Sequence, residues 1–313
     1  MKRIVCLLTA LMLILSGCTS QEPAKNDKKS VVVTIFPLYD WVREIVGDSE
    51  GIELTLLMNK GVDLHNYQAS ASDIIKITDS DLFIYNGGES DEWIEDILKE
   101  NKKLNSFSVM ESIEDLLKQE EEKEGMQEDE HEQVHEEGEF DEHIWLSLKN
   151  AKASCNIILN ELVKLDPENK DKYQANYDRY INELDKLDAE YEKAVSSSSK
   201  KVLLFADRFP FRYLVDDYGI DYYAAFKGCS AESEASFDTI KFLAEKTDEL
   251  NLKYVMILEN SEEKIANAVI NSTVNKNQTI ESLDSLQSTT LADNRSYLDV
   301  MSSNLEVLKK VLN

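Results

Sequence analysis

Histidine is scarce in this chain: there are four in 313 residues. Cysteine and proline also number four each, and 34 lysines and arginines face 61 aspartates and glutamates. The shortage of cations leaves a formal net charge of −27. That excludes nucleic acid as a partner, because a phosphate backbone needs a basic surface. The apolar run at residues 4–15 (IVCLLTALMLIL) is too short for a transmembrane helix. Apolar residues still make up 42% of the chain, enough for real cores, and the length suits two domains of ordinary size.

What is present is unevenly placed. Thirteen of the 24 residues from Gln119 to Glu142 are acidic, and Lys123 alone opposes them. His131, His135 and His143 lie in this run or at its end. Imidazoles gathered among carboxylates favour a divalent cation, since neutral imidazole ligates zinc and the acids concentrate cations. For residues 119–139 the competing reading is a solvated acidic loop. His143 differs, because Asp141-Glu142-His143 runs into Ile144-Trp145-Leu146, an apolar patch able to hold the ring. His65 stands far upstream in Asp63-Leu64-His65-Asn66-Tyr67, and the rest of the chain reads as a frame that brings it to His143.

The N-terminus reads as a targeting segment. Lys2 and Arg3 precede the apolar run, and Leu15-Ser16-Gly17-Cys18 resembles a bacterial lipobox, which implies a lipid on Cys18. Residues 1–17 would then be a lipoprotein signal peptide and 18–30 a tether. Cys155 and Cys229 would remain, and one disulfide between them is open.

From Val31 onward, strands alternate with helices, which predicts parallel sheets covered on both faces. The strands are expected at Val31–Ile35, Ile52–Met58 and Asp81–Tyr85, then Val202–Ala206, Asp221–Phe226, Tyr254–Leu258 and Thr279–Leu283. Helices are expected at Pro37–Val46, Asp91–Leu104, 147–165, Phe209–Tyr218, Phe237–Leu250, Glu262–Val274 and Arg295–Leu312. Glu168–Val195 reads as one long charged helix with a narrow stripe of Tyr173, Tyr177, Tyr180, Leu184 and Leu187, about 42 Å long and suited to connecting two lobes. The fold class is α/β: a lobe at 31–166, a linking helix at 167–199 and a second lobe at 200–313. Ligands of such sheets sit beyond the carboxyl ends of the strands, where His65 falls.

Lipobox, two α/β lobes, linking helix and His-rich acidic loop together resemble the metal-binding solute-binding lipoproteins of bacterial ABC importers, the zinc branch in particular. The segments that carry the resemblance are Asp63–Gln68 with Ser72-Asp73, and Asp141–Ser147 with Asn150. Weaker matches are Phe211–Leu214 with Tyr218-Gly219, Glu232–Ser236, and Tyr297–Asp299 with Met301. It implies that His65 and His143 ligate metal, Zn²⁺ ahead of Mn²⁺ or Fe²⁺. It also implies a monomer outside the cytoplasm, anchored at Cys18 and serving an ABC permease. Three positions depart from the pattern: Leu64 and Glu142 stand where the family often has Pro, and the third is a ligand position. Where the family carries a third ligand, this chain has Arg208, whose guanidinium has no lone pair to give and is expected to pair with Asp207, Glu232 or Glu234. Replacement donors are Asp284 first, then Cys229 and Glu259, with His131 and His135 as accessory ligands.

Two other functions compete. His131-Glu132-Gln133-Val134-His135 reads H-E-x-x-H, the zinc-peptidase motif, but acidic flanks leave no apolar face to fix the required helix. A surface adhesin is the other; a large exposed apolar patch would mark it.

Overall fold

The computed structural model describes residues 28–127, 139–230 and 234–313. Its first sheet is built on β1 (Lys29–Val33), whose Val31, Val32 and Val33 are buried, as a β-branched run between two covered faces requires. Around it stand β2 (Ile52–Leu56), β3 (Leu82–Tyr85) and β4 (Ser106–Ser108), in the order β2-β1-β3-β4, all parallel. The second sheet repeats the plan. Strands β5 (Val202–Phe209), β6 (Asp221–Lys227), β7 (Tyr254–Leu258) and β8 (Thr279–Leu283) lie in the order β6-β5-β7-β8, again parallel. Strand order therefore reverses beside β1 and beside β5, and the loops beyond these strand ends meet in one cleft.

The helices of the first lobe are α1 (Phe36–Val46), α2 (Ala71–Thr78), α3 (Trp93–Glu100) and α4 (Val109–Ser112). Then come α5 (Leu148–Leu165) and α6 (Lys170–Ser197), and in the second lobe α7 (Arg212–Tyr218), α8 (Phe237–Glu249), α9 (Lys264–Ser272) and α10 (Tyr297–Val311). Helix α6 is more than a connector. Tyr173, Tyr180, Leu184, Leu187, Tyr191 and Val195 are buried along one stripe. That stripe packs on α5, α1, α10 and α7. One apolar core accordingly runs through both lobes, from Val31 to Leu312, while smaller clusters cover the outer faces of the sheets. Among the described residues no helix is long and apolar enough to cross a membrane.

Two local differences from the sequence expectations bear on the site. Strand β4 is three residues of Ser-Phe-Ser, too short and polar to announce itself. Strand β5 continues to Phe209, where a helix was expected to begin, and Pro210, which lacks an N–H, ends it. Between Phe205 and Arg208 its register with β6 shifts, a bulge that re-aims Arg208. Cys155, buried within α5, and Cys229, in the turn after β6, are both free thiols, so no disulfide joins them.

Candidate metal centre

His65 sits in a single 3₁₀ turn beyond β2. The Asp63 carboxylate caps that turn by accepting the His65 backbone N–H at 3.1 Å. His143 stands before another 3₁₀ turn, Ile144–Leu146, whose three side chains are buried, and its own ring is fully buried against Trp145. The apolar patch thus does what its position suggested: it immobilises the imidazole.

Each ring is held from its Nδ1 side by a carboxylate. Asp141 Oδ1 accepts both the His143 backbone N–H (2.8 Å) and its Nδ1–H (3.0 Å). Glu142 Oε1 lies 3.0 Å from His65 Nδ1, and the Ser90 hydroxyl donates to the same oxygen at 2.6 Å. Ser90 is in turn 2.8 Å from His65 Nδ1. Protonation at Nδ1 leaves both Nε2 lone pairs free, and the two Nε2 atoms face each other 3.3 Å apart. Two nitrogens about 2.05 Å from one zinc at the tetrahedral angle lie about 3.3 Å apart, so the pair fits that ion. The Gln287 amide donates to both lone pairs, at 2.7 Å to His143 and 3.0 Å to His65. It marks the point on which they converge.

Burial shapes the charges here. It works against ionisation of Glu142, yet the hydrogen bond and charge of His65 outweigh it and hold that carboxyl at about 2. Burial alone would lower His143, but Asp141, with Glu142 and Glu120 behind it, lifts it above the ordinary histidine value. Gly88 makes the Glu142 placement attainable. Its φ is +88°, and a Cβ there would stand 2.6 Å from Glu142 Cβ.

The remaining expected ligands are distributed differently. Cys229 belongs to the cluster: it, His65, Glu142 and His143 each offer a ligand atom, all within 4.8 Å of one another. Asp284 does not. Its carboxylate is 2.8 Å from Arg295 and accepts the Leu286 backbone N–H at 2.9 Å. Glu259 accepts from Ser285 with both oxygens, at 2.7 Å each, and burial followed by the neighbouring Asp284 charge pushes it up to about 7. Among the described residues, Arg208 forms its ion pair with neither Asp207 nor Glu234. Its guanidinium crosses the cleft to Asp63 at 2.6 Å, holding that carboxyl below its usual range in spite of burial. Asp207 instead accepts the Arg208 and Leu258 backbone N–H groups, at 2.8 and 3.1 Å. His131, His135, Glu232 and Cys18 lie outside the described residues.

Glu142, Ser90 and Gln287 were not expected at the site. Glu142 adjoins His143 in sequence, which is a usable signal that it reaches the site, though the ring it faces is that of His65. Ser90 and Gln287 carry no such signal. A cavity of about 720 Å³, lined by His65, Ser90, Arg208, Cys229 and Lys264 among others, opens beside His65.

Two parallel-sheet lobes meeting at paired, carboxylate-anchored imidazoles define the class: a two-lobed α/β protein whose inter-lobe site has the geometry to hold a divalent metal. The family model described as zinc-uptake complex component A, periplasmic, matches residues 31–311, and the chain belongs to that family. It is 30% identical to the zinc-binding lipoprotein AdcA of Streptococcus pneumoniae over 99% of this chain and 61% of that protein, so it spans under two thirds of that relative's length. It is 29% identical to the high-affinity zinc uptake system protein ZnuA of Bacillus subtilis, over 97% of this chain and 96% of that one. The Zn(II)-bound ZnuA-like domain of S. pneumoniae AdcA superposes with a TM-score of 0.72 at 26% identity, over 91% of this chain and 99% of that one. That family's description names zinc uptake and not peptide cleavage.

Proposed function

We propose that this protein captures one Zn²⁺ per chain between its lobes, outside the cytoplasm, and passes it to an ABC permease. His65 and His143 are the principal ligands, and Cys18 carries the lipid that keeps the protein at the membrane. The observation that carries this reading is the pair of Nε2 atoms 3.3 Å apart, each ring tied at Nδ1 to a buried carboxylate. Carboxylate-anchored imidazoles favour zinc over manganese, which prefers oxygen ligands. Ion capture favours the closed cleft because the metal binds that state better than the open one, and the Arg208–Asp63 pair across the cleft biases the same state.

The test is titration of the purified full chain with Zn²⁺ against a competing chelator. One tight site, lost in His65→Ala and His143→Ala, is expected. Tight binding that survives both substitutions would place the metal elsewhere and end this reading. For the anchor, Cys18→Ser should release the protein from membranes; a mature wild-type protein without lipid on Cys18 would remove that part.

A further inference from the structure

Among the described residues of the second lobe, Asp207, Glu259, Asp284 and Cys229 bear metal-ligating side chains near the cleft, and the first three are already engaged within that lobe. Asp284 is taken by Arg295 and the Leu286 N–H. Both oxygens of Glu259 accept from Ser285. Both oxygens of Asp207 accept backbone N–H groups. Cys229 is the exception. Its sulfur points away from its own lobe, 3.6 Å from Glu142 Oε1 across the cleft. The turn that carries it is pressed on the first-lobe ligand: a Cβ at Gly228 would stand 3.0 Å from His143 Cε1. A glycine there lets the backbone approach the imidazole closely enough to put the next side chain in the cluster.

We infer that Cys229, as a thiolate, is the third zinc ligand, completing a His65–His143–Cys229 set in place of an all-nitrogen-and-oxygen one. This deepens the zinc-capture reading and rests on it. Glu142 stays on His65 Nδ1, where it orients the ring, and the fourth position is left to solvent. On coordination the S–H bond breaks, a sulfur–zinc bond forms and the proton passes to water. A thiolate with two imidazoles selects borderline and soft ions, Zn²⁺, Co²⁺ and Cd²⁺, over Mn²⁺, Mg²⁺ and Ca²⁺.

The experiment uses the full chain loaded with Co²⁺ in place of zinc. Wild type should show a near-ultraviolet sulfur-to-cobalt charge-transfer band that Cys229→Ser lacks, and Cys229→Ser should bind zinc about tenfold or more weakly. A second measurement needs no variant. Iodoacetamide labelling of the Cys229 peptide, read by mass spectrometry on native wild type, should slow about tenfold or more when one equivalent of Zn²⁺ is bound, since the ligating sulfur is withdrawn. Tight cobalt without the band, and labelling unmoved by zinc, would overturn the thiolate assignment while leaving zinc capture at the two histidines intact. Wild type that binds neither ion tightly would overturn both.

Discussion

The two lobes share a strand order yet contribute to the cleft in opposite ways. The first supplies a prepared pair of lone pairs. His65 and His143 come from loops beyond one sheet, each ring already oriented by a carboxylate of the same lobe. The second supplies mainly groups that close on that pair: the Gln287 amide, the Arg208 guanidinium and the Cys229 thiol. Its Asp207, Glu259 and Asp284 carboxylates are occupied with its own backbone and side chains. The contrast teaches that a repeated topology positions loop ends but does not assign them chemistry. The first lobe presents two oriented imidazoles, and the second brings an amide, a guanidinium and a thiol up to them.

The sharpest way to break this comparison is to remove a first-lobe ligand. His65→Ala or His143→Ala should weaken Zn²⁺ by more than the ~10–100-fold typical of losing a ring-orienting partner. Chelator competition measures it, and an effect no larger than that of Gln287→Ala would erase the distinction between lobes.

Acid is the next largest perturbation. Both imidazoles must be neutral to coordinate, so affinity should fall as pH drops, by up to about tenfold per pH unit for each histidine below its own pKa. Because Asp141 and its acidic neighbours outweigh burial and raise His143, the histidine part of the fall, added to the proton released by the Cys229 thiol, should set in above the ordinary histidine value of about 6.5. Asp141→Asn removes the chief raising influence and should move the onset to lower pH. An unchanged onset would mean that the Asp141 charge does not govern the ring.

Smaller effects separate orientation from ligation. Glu142→Gln should cost about 10–100-fold in zinc affinity, since the His65 ring loses its anionic acceptor. Gln287→Ala has the opposite sign. An amide that must be displaced competes with the ion, so removing it should tighten binding about 2–10-fold, the worth of one ordinary hydrogen bond. Weaker binding in Gln287→Ala would show instead that its side chain ligates. Least of all, His131→Ala with His135→Ala should leave the tight site unchanged in the same titration.

Much of this molecule was legible before its coordinates. Strands β7 and β8 fall on the expected residues, because short β-branched and apolar runs bounded by turns admit few other readings. Helix α6 was legible from its tyrosine and leucine stripe, though what the stripe packs against was not. His65 and His143 could be singled out because histidine is so rare here and both adjoin segments with a clear structural character. Arg208 could be read as a non-ligand from its chemistry alone. Asp284 was the natural replacement by position after the last strand, yet Arg295 holds it outside the cluster.

Residue type and local pattern thus determined the α/β alternation, the family resemblance and the two imidazoles, because each depends on near neighbours in the chain or on the intrinsic chemistry of one side chain. Only the tertiary structure decided which carboxylate faces which ring, which second-lobe donors are already engaged, and that Arg208 reaches Asp63, 145 residues away. Those outcomes turn on distances of a few ångströms between segments far apart in sequence. A hydrogen bond or coordinate bond is made or lost over less than one ångström, and such differences are set when loops pack rather than by the residues that compose them.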